Sequence, residues 1–311
     1  MTRIVLIALL GIPPCAWGQL QITSVVNSAS FEAGLPRGGA LATLFCTLQF
    51  IGYPGPDPGV YLASPTSALP YQLGGLQVFV NNAPAPILSV VVPSQASAQP
   101  AQVNFQVPVE RGSNWSSDSA LPTANSGTLT VFECDASGKC FATGGPLSPL
   151  PQAGRGGFFS DGNGFAIAQH ASDYSLVTTQ NPAHAGETII VYADDFFGVW
   201  PTPPMGIPVP PQFTYQYTQA VTSELQLCCN LYLQTYTTGY TTTPAVKTLY
   251  LGLAPNMIGV EQINFVVPTN QQPGDWALFF NFGSCPATGG SGCGPIGGKP
   301  DNSSPVLVPV R

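Results

Sequence analysis

The sequence predicts an all-β protein made of two tandem β-sandwich units. Three observations support this prediction: short runs in which apolar and polar residues alternate, frequent turn residues between those runs, and two blocks that recur later in the chain in the same order. Glycine and proline account for 34 and 33 of the 311 residues. Many short alternating runs separated by glycine and proline are typical of sandwiches.

The clearest strand pattern covers residues 225–233, where every second residue is apolar. These residues are Leu225, Leu227, Cys229, Leu231 and Leu233. Successive side chains of a strand point to opposite faces, so this period indicates a half-buried strand. Other β-rich runs are residues 76–80, 87–92, 129–132, 188–192, 247–251 and 276–282. No run after the first eighteen residues has the period of a three-turn amphipathic helix.

Two blocks of sequence occur twice. Residues 102–108 (Gln-Val-Asn-Phe-Gln-Val-Pro) return as residues 262–268 (Gln-Ile-Asn-Phe-Val-Val-Pro), and residues 39–45 match residues 186–192 in pattern. The blocks keep their order and a similar separation, which indicates two copies of one unit. A Gly/Pro-rich run near residues 144–157 marks the boundary, so we predict units at residues 19–150 and 151–311.

The N-terminus has the features of a signal peptide over residues 1–18. Arg3 supplies the positive charge, residues 4–12 are apolar, and residues 16–18 (Ala-Trp-Gly) form a small-residue cleavage signal. Two alternatives are a buried hydrophobic strand and a lipoprotein signal with Cys15 as the lipidated residue, although two prolines before Cys15 make a poor lipobox. The predicted location is secreted or cell-surface. No later run approaches eighteen apolar residues, so no transmembrane segment is predicted in the mature chain.

Charge is sparse in this chain. Only 7% of residues are charged, the net charge is −7, and the eight basic residues are scattered. Phosphate binding requires clustered Lys or Arg, so nucleic acid is excluded as a partner. The predicted partners are a protein or a glycan of the cell envelope or extracellular space.

The cysteines suggest local disulfides, which export permits. Cys134 and Cys140 flank a turn-rich segment, and Cys285 and Cys293 flank a Gly/Pro-rich one. Spacing suggests these two pairs without proving them. The other cysteines of the predicted mature chain form an odd set: Cys46, Cys228 and Cys229.

Several blocks together resemble a known family. They are residues 25–31 (Val-Val-Asn-Ser-Ala-Ser-Phe), 73–78, 102–108, 161–166 and 251–255 (Leu-Gly-Leu-Ala-Pro). In this order they are similar to the acidobacterial ("Solibacter") uncharacterised C-terminal domain family. The resemblance implies an exported protein with a fold of two tandem immunoglobulin-like β-sandwich units of the IPT/TIG type. It implies no known activity and no catalytic residues.

The sequence offers little for catalysis. It has two histidines, His170 and His184, without the H-E-x-x-H spacing of zinc proteases, and it has no G-x-S-x-G nucleophile motif. We interpret both histidines as exposed loop residues. The prediction is therefore a protein that is not an enzyme and holds no cofactor, with no catalytic residue assigned.

Calcium is the one cofactor that the sequence leaves open, through three aspartates. Asp161 begins an Asp-Gly-Asn-Gly segment like a calcium loop, but Phe165 and Ala166 stand where a ligand and a glycine are needed. The adjacent Asp194 and Asp195 could ligate calcium or form a solvated turn after a strand. A turn is the favoured interpretation at both places.

A possible ligand platform is the aromatic stripe of Phe213, Tyr215 and Tyr217, together with Trp200. Alternating residues share one face of an extended strand, and aromatic rings there could bind sugar rings or a peptide. The alternative, which we favour, is that this face belongs to the sandwich core.

From these observations we predict an exported, non-catalytic interaction module at or beyond the cell surface that binds a protein or a glycan. The alternative is a structural spacer or scaffold domain without a small-molecule ligand. A third hypothesis, a polysaccharide-acting enzyme, requires two carboxylates or a metal in one cleft.

Overall fold

The computed structural model describes ten stretches of the chain: residues 20–48, 57–94, 96–109, 128–135, 137–147, 156–196, 204–211, 230–235, 246–281 and 306–311. These residues form strands and turns and contain no helix. Several predicted features lie outside the described residues: the signal peptide at 1–18, Trp200, Phe213, Tyr215, Tyr217, Cys228, Cys229, Cys285 and Cys293.

The described chain contains seventeen strands, β1 to β17. Their bounds in chain order are Gln21–Asn27, Leu41–Thr47, Gly59–Leu62, Leu76–Val80, Ala83–Pro84, Ile87–Val92, Ala101–Gln106, Leu129–Cys134, Cys140–Leu147, Gly157–Phe158, Ala168–His170, Thr188–Asp194, Asn230–Thr235, Lys247–Leu253, Glu261–Val266, Gly274–Asn281 and Val306–Val310. All named strand pairs are antiparallel. The predicted all-β class is confirmed.

The first two sheets enclose one hydrophobic core. One sheet has the strand order β1-β2-β7-β6-β3 and the other β5-β4-β8-β9. Leu44 and Phe105 of the first sheet and Leu76 and Val131 of the second are fully buried in the same cluster. β4, β7 and β8 turn alternate apolar residues to this shared interior, which is the packing of a β-sandwich.

The later strands enclose a second core. β10, β12, β15 and β14 form a sheet in that order, with β11 also paired to β12, and β13, β16 and β17 form another. Ile189 and Phe265 from the first of these sheets and Leu278 and Val308 from the second lie in one buried cluster. This cluster contains no residue of the earlier core.

The repeated sequence blocks pair with one another in the same register in each half. Leu44 lies opposite Val103 in the β2–β7 pair, and Val191 lies opposite Ile263 in the β12–β15 pair. A β-bulge interrupts the next strand at the same place in both, in β6 between Ile87 and Ser89 and in β14 between Thr248 and Tyr250. The sequence repeat therefore extends to the pairing pattern and to its irregularities.

A turn that follows β1 in the first half and β11 in the second is also repeated. The amide of Phe31 donates to the carbonyl of Asn27, and the amide of Tyr174 donates to that of His170. Both aromatic residues have positive φ, 56° and 60°, and their exposures are 63% and 66%. Residues 25–31 and 168–174 share no identical residue at equivalent positions, so sequence comparison alone does not identify this part of the repeat.

A disulfide joins Cys134 and Cys140, one of the two pairs suggested by the sequence. These residues lie opposite each other where β8 and β9 pair. Between them, Asp135 Oδ1 accepts hydrogen bonds from the amides of Ser137 and Lys139. The bond therefore closes a hairpin whose turn is already ordered by a side chain.

Cys46 is a free thiol in the first core, with a carboxylate nearby. Burial, and then the charge of Glu133, raise the pKa of the Cys46 thiol from 9.0 to about 12. A folded chain that holds this proton more tightly than the unfolded chain is stabilised below pH 9, and the stabilisation is lost as the pH rises toward 12.

We therefore predict that Cys46→Ala reduces the alkaline loss of stability. The stability advantage of the wild type over the variant should fall by up to about 1.4 kcal/mol per pH unit above the pKa of the unfolded thiol. Urea unfolding at a series of pH values from neutral to alkaline measures this difference. The small cavity left by alanine adds an offset of about 1 kcal/mol that does not change with pH, so parallel stability curves would contradict the prediction.

Candidate functional site

Asp161, the first calcium candidate, lies in an exposed turn. Its Oδ1 accepts hydrogen bonds from the amides of Asn163, at 2.8 Å, and Phe165, at 2.9 Å. These bonds lower the pKa of the Asp161 carboxyl. The side chain thus organises the predicted glycine-rich turn, in which Gly164 has a φ of 86°.

Asp194, at the end of β12, is fully buried. One carboxylate oxygen accepts a hydrogen bond from Asn27 Nδ2 at 3.0 Å, and the other accepts one from the Leu41 amide at 3.0 Å. Burial raises the pKa of Asp194 well above its ordinary value, and the neighbouring charges of Asp195 and Glu261 raise it further. The carboxylate therefore joins β12 to the end of β1 and the start of β2.

Asp195 forms an ion pair with Arg37. The distance from Arg37 Nε to Asp195 Oδ1 is 2.6 Å, and the guanidinium also donates to the Asp195 backbone carbonyl. Burial raises the pKa of Asp195, and the Arg37 charge opposes that increase. Asp195 has a φ of 61°, a left-handed conformation that Asp and Asn adopt more readily than most residues.

The structure corrects the favoured interpretation of Asp194 and Asp195 as a solvated turn. Both carboxylates are buried because Asn27, Arg37 and Leu41, more than 150 residues earlier, cover them with donors. Among the residues that the structure describes, no group of three or more His, Cys, Asp or Glu side chains is placed to hold a metal ion. The acidic pair instead links the two halves of the chain.

The proline-rich segment at residues 204–211 adds a second link between the halves. The amide of Gly206 donates to Gln106 Oε1 at 2.7 Å, and its carbonyl accepts from the amide of Leu69. Val209, three residues later, exchanges backbone hydrogen bonds with Met257 and Asn256. A Cβ at Gly206 would lie 2.8 Å from Pro86, so the close approach requires glycine. This segment contains no strand, since proline lacks the backbone N–H that pairing in a sheet needs.

The structure also corrects the interpretation of His170. His170 is buried in β11, with Nδ1 3.0 Å from Glu187 Oε1 and Nε2 3.3 Å from the Asn181 carbonyl. It points inward because it lies directly opposite Ile189, a core residue of β12. His184 is exposed, as predicted, and its ring contacts the Arg311 carbonyl.

An exposed apolar surface lies on the outer face of the β12 sheet. Ile167, Tyr174 and Leu176 are exposed by 38%, 66% and 57%. Gln169 lies among them and connects the neighbouring tyrosines: the Tyr192 hydroxyl donates to Gln169 Oε1 at 2.6 Å, and Gln169 Nε2 donates to the Tyr174 carbonyl at 2.9 Å. We call these five residues the β11 face. This face was not predicted from the sequence, in which its one local signal is the Tyr174–Leu176 apolar pair.

The structure thus defines an all-β protein of antiparallel sheets with sandwich packing. No protein-family model matches the chain. A comparison with curated proteins gives no match either. In the part of the chain that the structure describes, no helix has the length and apolarity needed to cross a membrane.

Proposed function

We propose that this protein is an exported, non-catalytic interaction module at or beyond the cell surface that binds a protein or a glycan. In this proposal residues 1–18 are the signal peptide, residues 19–150 and 151–311 are two tandem immunoglobulin-like sandwich units, and the chain belongs with the acidobacterial family that its sequence blocks resemble. The observation that carries the interaction role is the exposed β11 face.

The proposal of two related units is supported by repeated details of pairing. The register of β2 with β7 equals that of β12 with β15, and the bulges in β6 and β14 occupy the same position. The turns ending at Phe31 and Tyr174 share a hydrogen bond and a positive φ. Such agreement is what a duplicated unit produces, because each copy retains the same strand pairings.

The interaction role is supported by where exposed apolar side chains collect. Besides the β11 face, Val60 and Leu62 of β3 are strongly exposed, and Val91, directly opposite Val60, is partly exposed. Scattered exposed apolar residues are normal, but groups of them commonly mark a binding surface.

The non-catalytic part of the proposal is supported by the contacts of the buried acidic residues, which bond to other parts of the fold. Asp194 and Asp195, the densest carboxylate pair in the sequence analysis, bond to Asn27, Leu41 and Arg37. Glu261 Oε2 accepts a hydrogen bond from the Phe196 amide. Carboxylates engaged in this way stabilise the fold, whereas glycoside hydrolysis needs a pair that faces a substrate cleft.

A structural spacer is the second candidate, and the links between the halves favour it. The bonds of Asp194 to Asn27 and of Gly206 to Gln106 connect the two halves in separate places. A spacer benefits from such links because they restrict hinge motion between domains.

Expression of the full chain with its own N-terminus, followed by binding to envelope fractions of its native cell, tests the proposal. We expect a secreted product that begins at Gln19 and saturable binding to the envelope. Protease treatment and periodate oxidation of the envelope then separate protein from glycan partners. Retention of residues 1–18 would contradict the signal peptide, and a secreted chain without saturable binding would favour the spacer.

A further inference from the structure

We infer that the β11 face is a binding site for a neutral polysaccharide. This inference rests on the proposed interaction function and specifies its partner. The residues that carry it are Tyr174, Tyr192 and Gln169 of this face, with Ile167 and Leu176 beside them. Gln262 of the adjacent strand β15 lies opposite Tyr192 and borders the face.

The register of the strands brings these residues onto one side of the sheet. Gln169 lies opposite Ile190, and Tyr192 lies opposite Gln262. Ala168, Val191 and Ile263 point into the core. Their chain neighbours Gln169, Tyr192 and Gln262 therefore point outward. Leu176 forms a bridge with Gln169 and extends the face beyond β11.

The polar groups of the face are held in place by one another. Gln169 accepts a hydrogen bond from the Tyr192 hydroxyl and donates one to the Tyr174 backbone carbonyl, so one amide orients the Tyr192 ring and ties down the turn that carries Tyr174. On the next strand, Gln262 Nε2 donates to Asn264 Oδ1 at 2.9 Å. A side-chain amide has two N–H donors and a carbonyl oxygen that can accept two hydrogen bonds. Gln169 and Gln262 can therefore bond to a ligand in addition to the bonds named above. Side chains already ordered lose little conformational freedom when a ligand binds.

The chemistry of the face suits an uncharged, hydroxyl-rich ligand. Tyrosine rings offer flat apolar surface with a polar edge, and amides can donate to and accept from hydroxyl groups. None of the residues that carry the inference is charged, and the carboxylate of Asp173, which precedes Tyr174 in the chain, accepts hydrogen bonds from the amide and hydroxyl of Ser175. Protein-binding hot spots are enriched in Arg as well as aromatic residues, and none of the residues that carry the inference is an arginine.

The first half of the chain shows that the fold does not require Gln169 or the Tyr192 hydroxyl, whereas Gln262 has an equivalent there, Gln102, which also bonds to the next asparagine. Val26 and Phe45 occupy the positions equivalent to Gln169 and Tyr192, because Val26 pairs with Thr43 and Phe45 with Gln102. The same strands and the same turn form there without the amide and without the phenolic hydroxyl. The bond between Gln169 and Tyr192 therefore adds to the second half a feature that its strand pairing does not need.

Native gel electrophoresis of the full exported chain in gels containing hydroxyethylcellulose, galactomannan or dextran tests the inference. We expect at least one of these neutral polymers to retard the wild type. Tyr174→Ala should weaken the binding about tenfold or more, as loss of a hot-spot aromatic does. Tyr192→Phe, which keeps the ring and removes the hydroxyl, should weaken it about threefold to tenfold.

Phe31→Ala is the matched control, since Phe31 has the same turn, the same sign of φ and nearly the same exposure as Tyr174. It should leave the retardation unchanged. Equal retardation of the wild type and Tyr174→Ala, or equal weakening by Tyr174→Ala and Phe31→Ala, would overturn the site. A wild type that binds envelope through a protein and is not retarded by any of the three polymers would overturn the glycan inference and leave the proposed function standing. A wild type that binds neither the envelope nor any of the three polymers would overturn both the proposed function and the glycan inference.

Discussion

Replacing Arg37 by alanine should lower the free energy of unfolding by about 3 kcal/mol. The substitution leaves the Asp195 carboxylate buried without its cation, and breaking a buried ion pair on one side typically costs about 3–5 kcal/mol. The Arg37 side chain is 32% exposed and that of Asp195 only 5%. Because water can reach the vacated place of Arg37, we expect the lower end of that range. Urea unfolding of both proteins measures the difference.

Asp195→Asn provides the control for this prediction. Asparagine tolerates the positive φ of Asp195 and removes its charge. The double variant Arg37→Ala/Asp195→Asn should therefore be less destabilised than the sum of the single variants, with a coupling above about 1 kcal/mol. A loss below about 1 kcal/mol for Arg37→Ala alone, the value of an exposed ion pair, would show that the pair is not effectively buried.

Replacing Asp194 by alanine should lower the free energy of unfolding by about 2 kcal/mol at neutral pH, and by more in acid. Two buried donors, Asn27 Nδ2 and the Leu41 amide, lose their acceptor, at about 1–3 kcal/mol each. Part of this loss is offset, because the variant no longer buries a carboxylate away from water. The folded chain binds the Asp194 proton more tightly than the unfolded chain, since its pKa is raised. The stability advantage of the wild type over Asp194→Ala therefore grows as the pH falls toward the ordinary aspartate pKa.

Urea unfolding of the wild type and Asp194→Ala across the acidic and neutral range measures this difference. Asp161→Ala is the matched control, because it removes an aspartate whose pKa is lowered at an exposed turn. The stabilisation from Asp161 is present above the ordinary aspartate pKa and is lost as the pH falls, so its pH dependence has the opposite sign. If Asp194→Ala instead followed the Asp161→Ala trend and destabilised the chain less as the pH fell, the raised pKa of the buried Asp194 carboxyl would be disproved.

The sequence predicted the strands well where their side chains alternate between core and surface. The Gln-x-Asn-Phe blocks are the clearest case, since they form β7 and β15 with their apolar residues buried and their amides outward. The disulfide between Cys134 and Cys140 was also predictable, because the two residues are close in the chain and a turn lies between them.

The candidate site was much less predictable. The β11 face depends on Gln169, whose partners Tyr174 and Tyr192 belong to a turn and to the neighbouring strand. No motif contains these three residues, and only the pairing of β11 with β12 brings them together.

The sequence by itself determined the all-β class and the position of the repeat and suggested the local disulfide, because each of these depends on neighbouring residues or on a strand's period of two. Only the tertiary structure decided the roles of Asp194, Asp195 and His170. A carboxylate beside a strand is solvated or buried according to what packs on it, and here Asn27, Arg37 and Leu41 come from the other half of the chain. His170 is buried because strand register points it at the core opposite Ile189, and register is a property of the paired strands rather than of either segment alone.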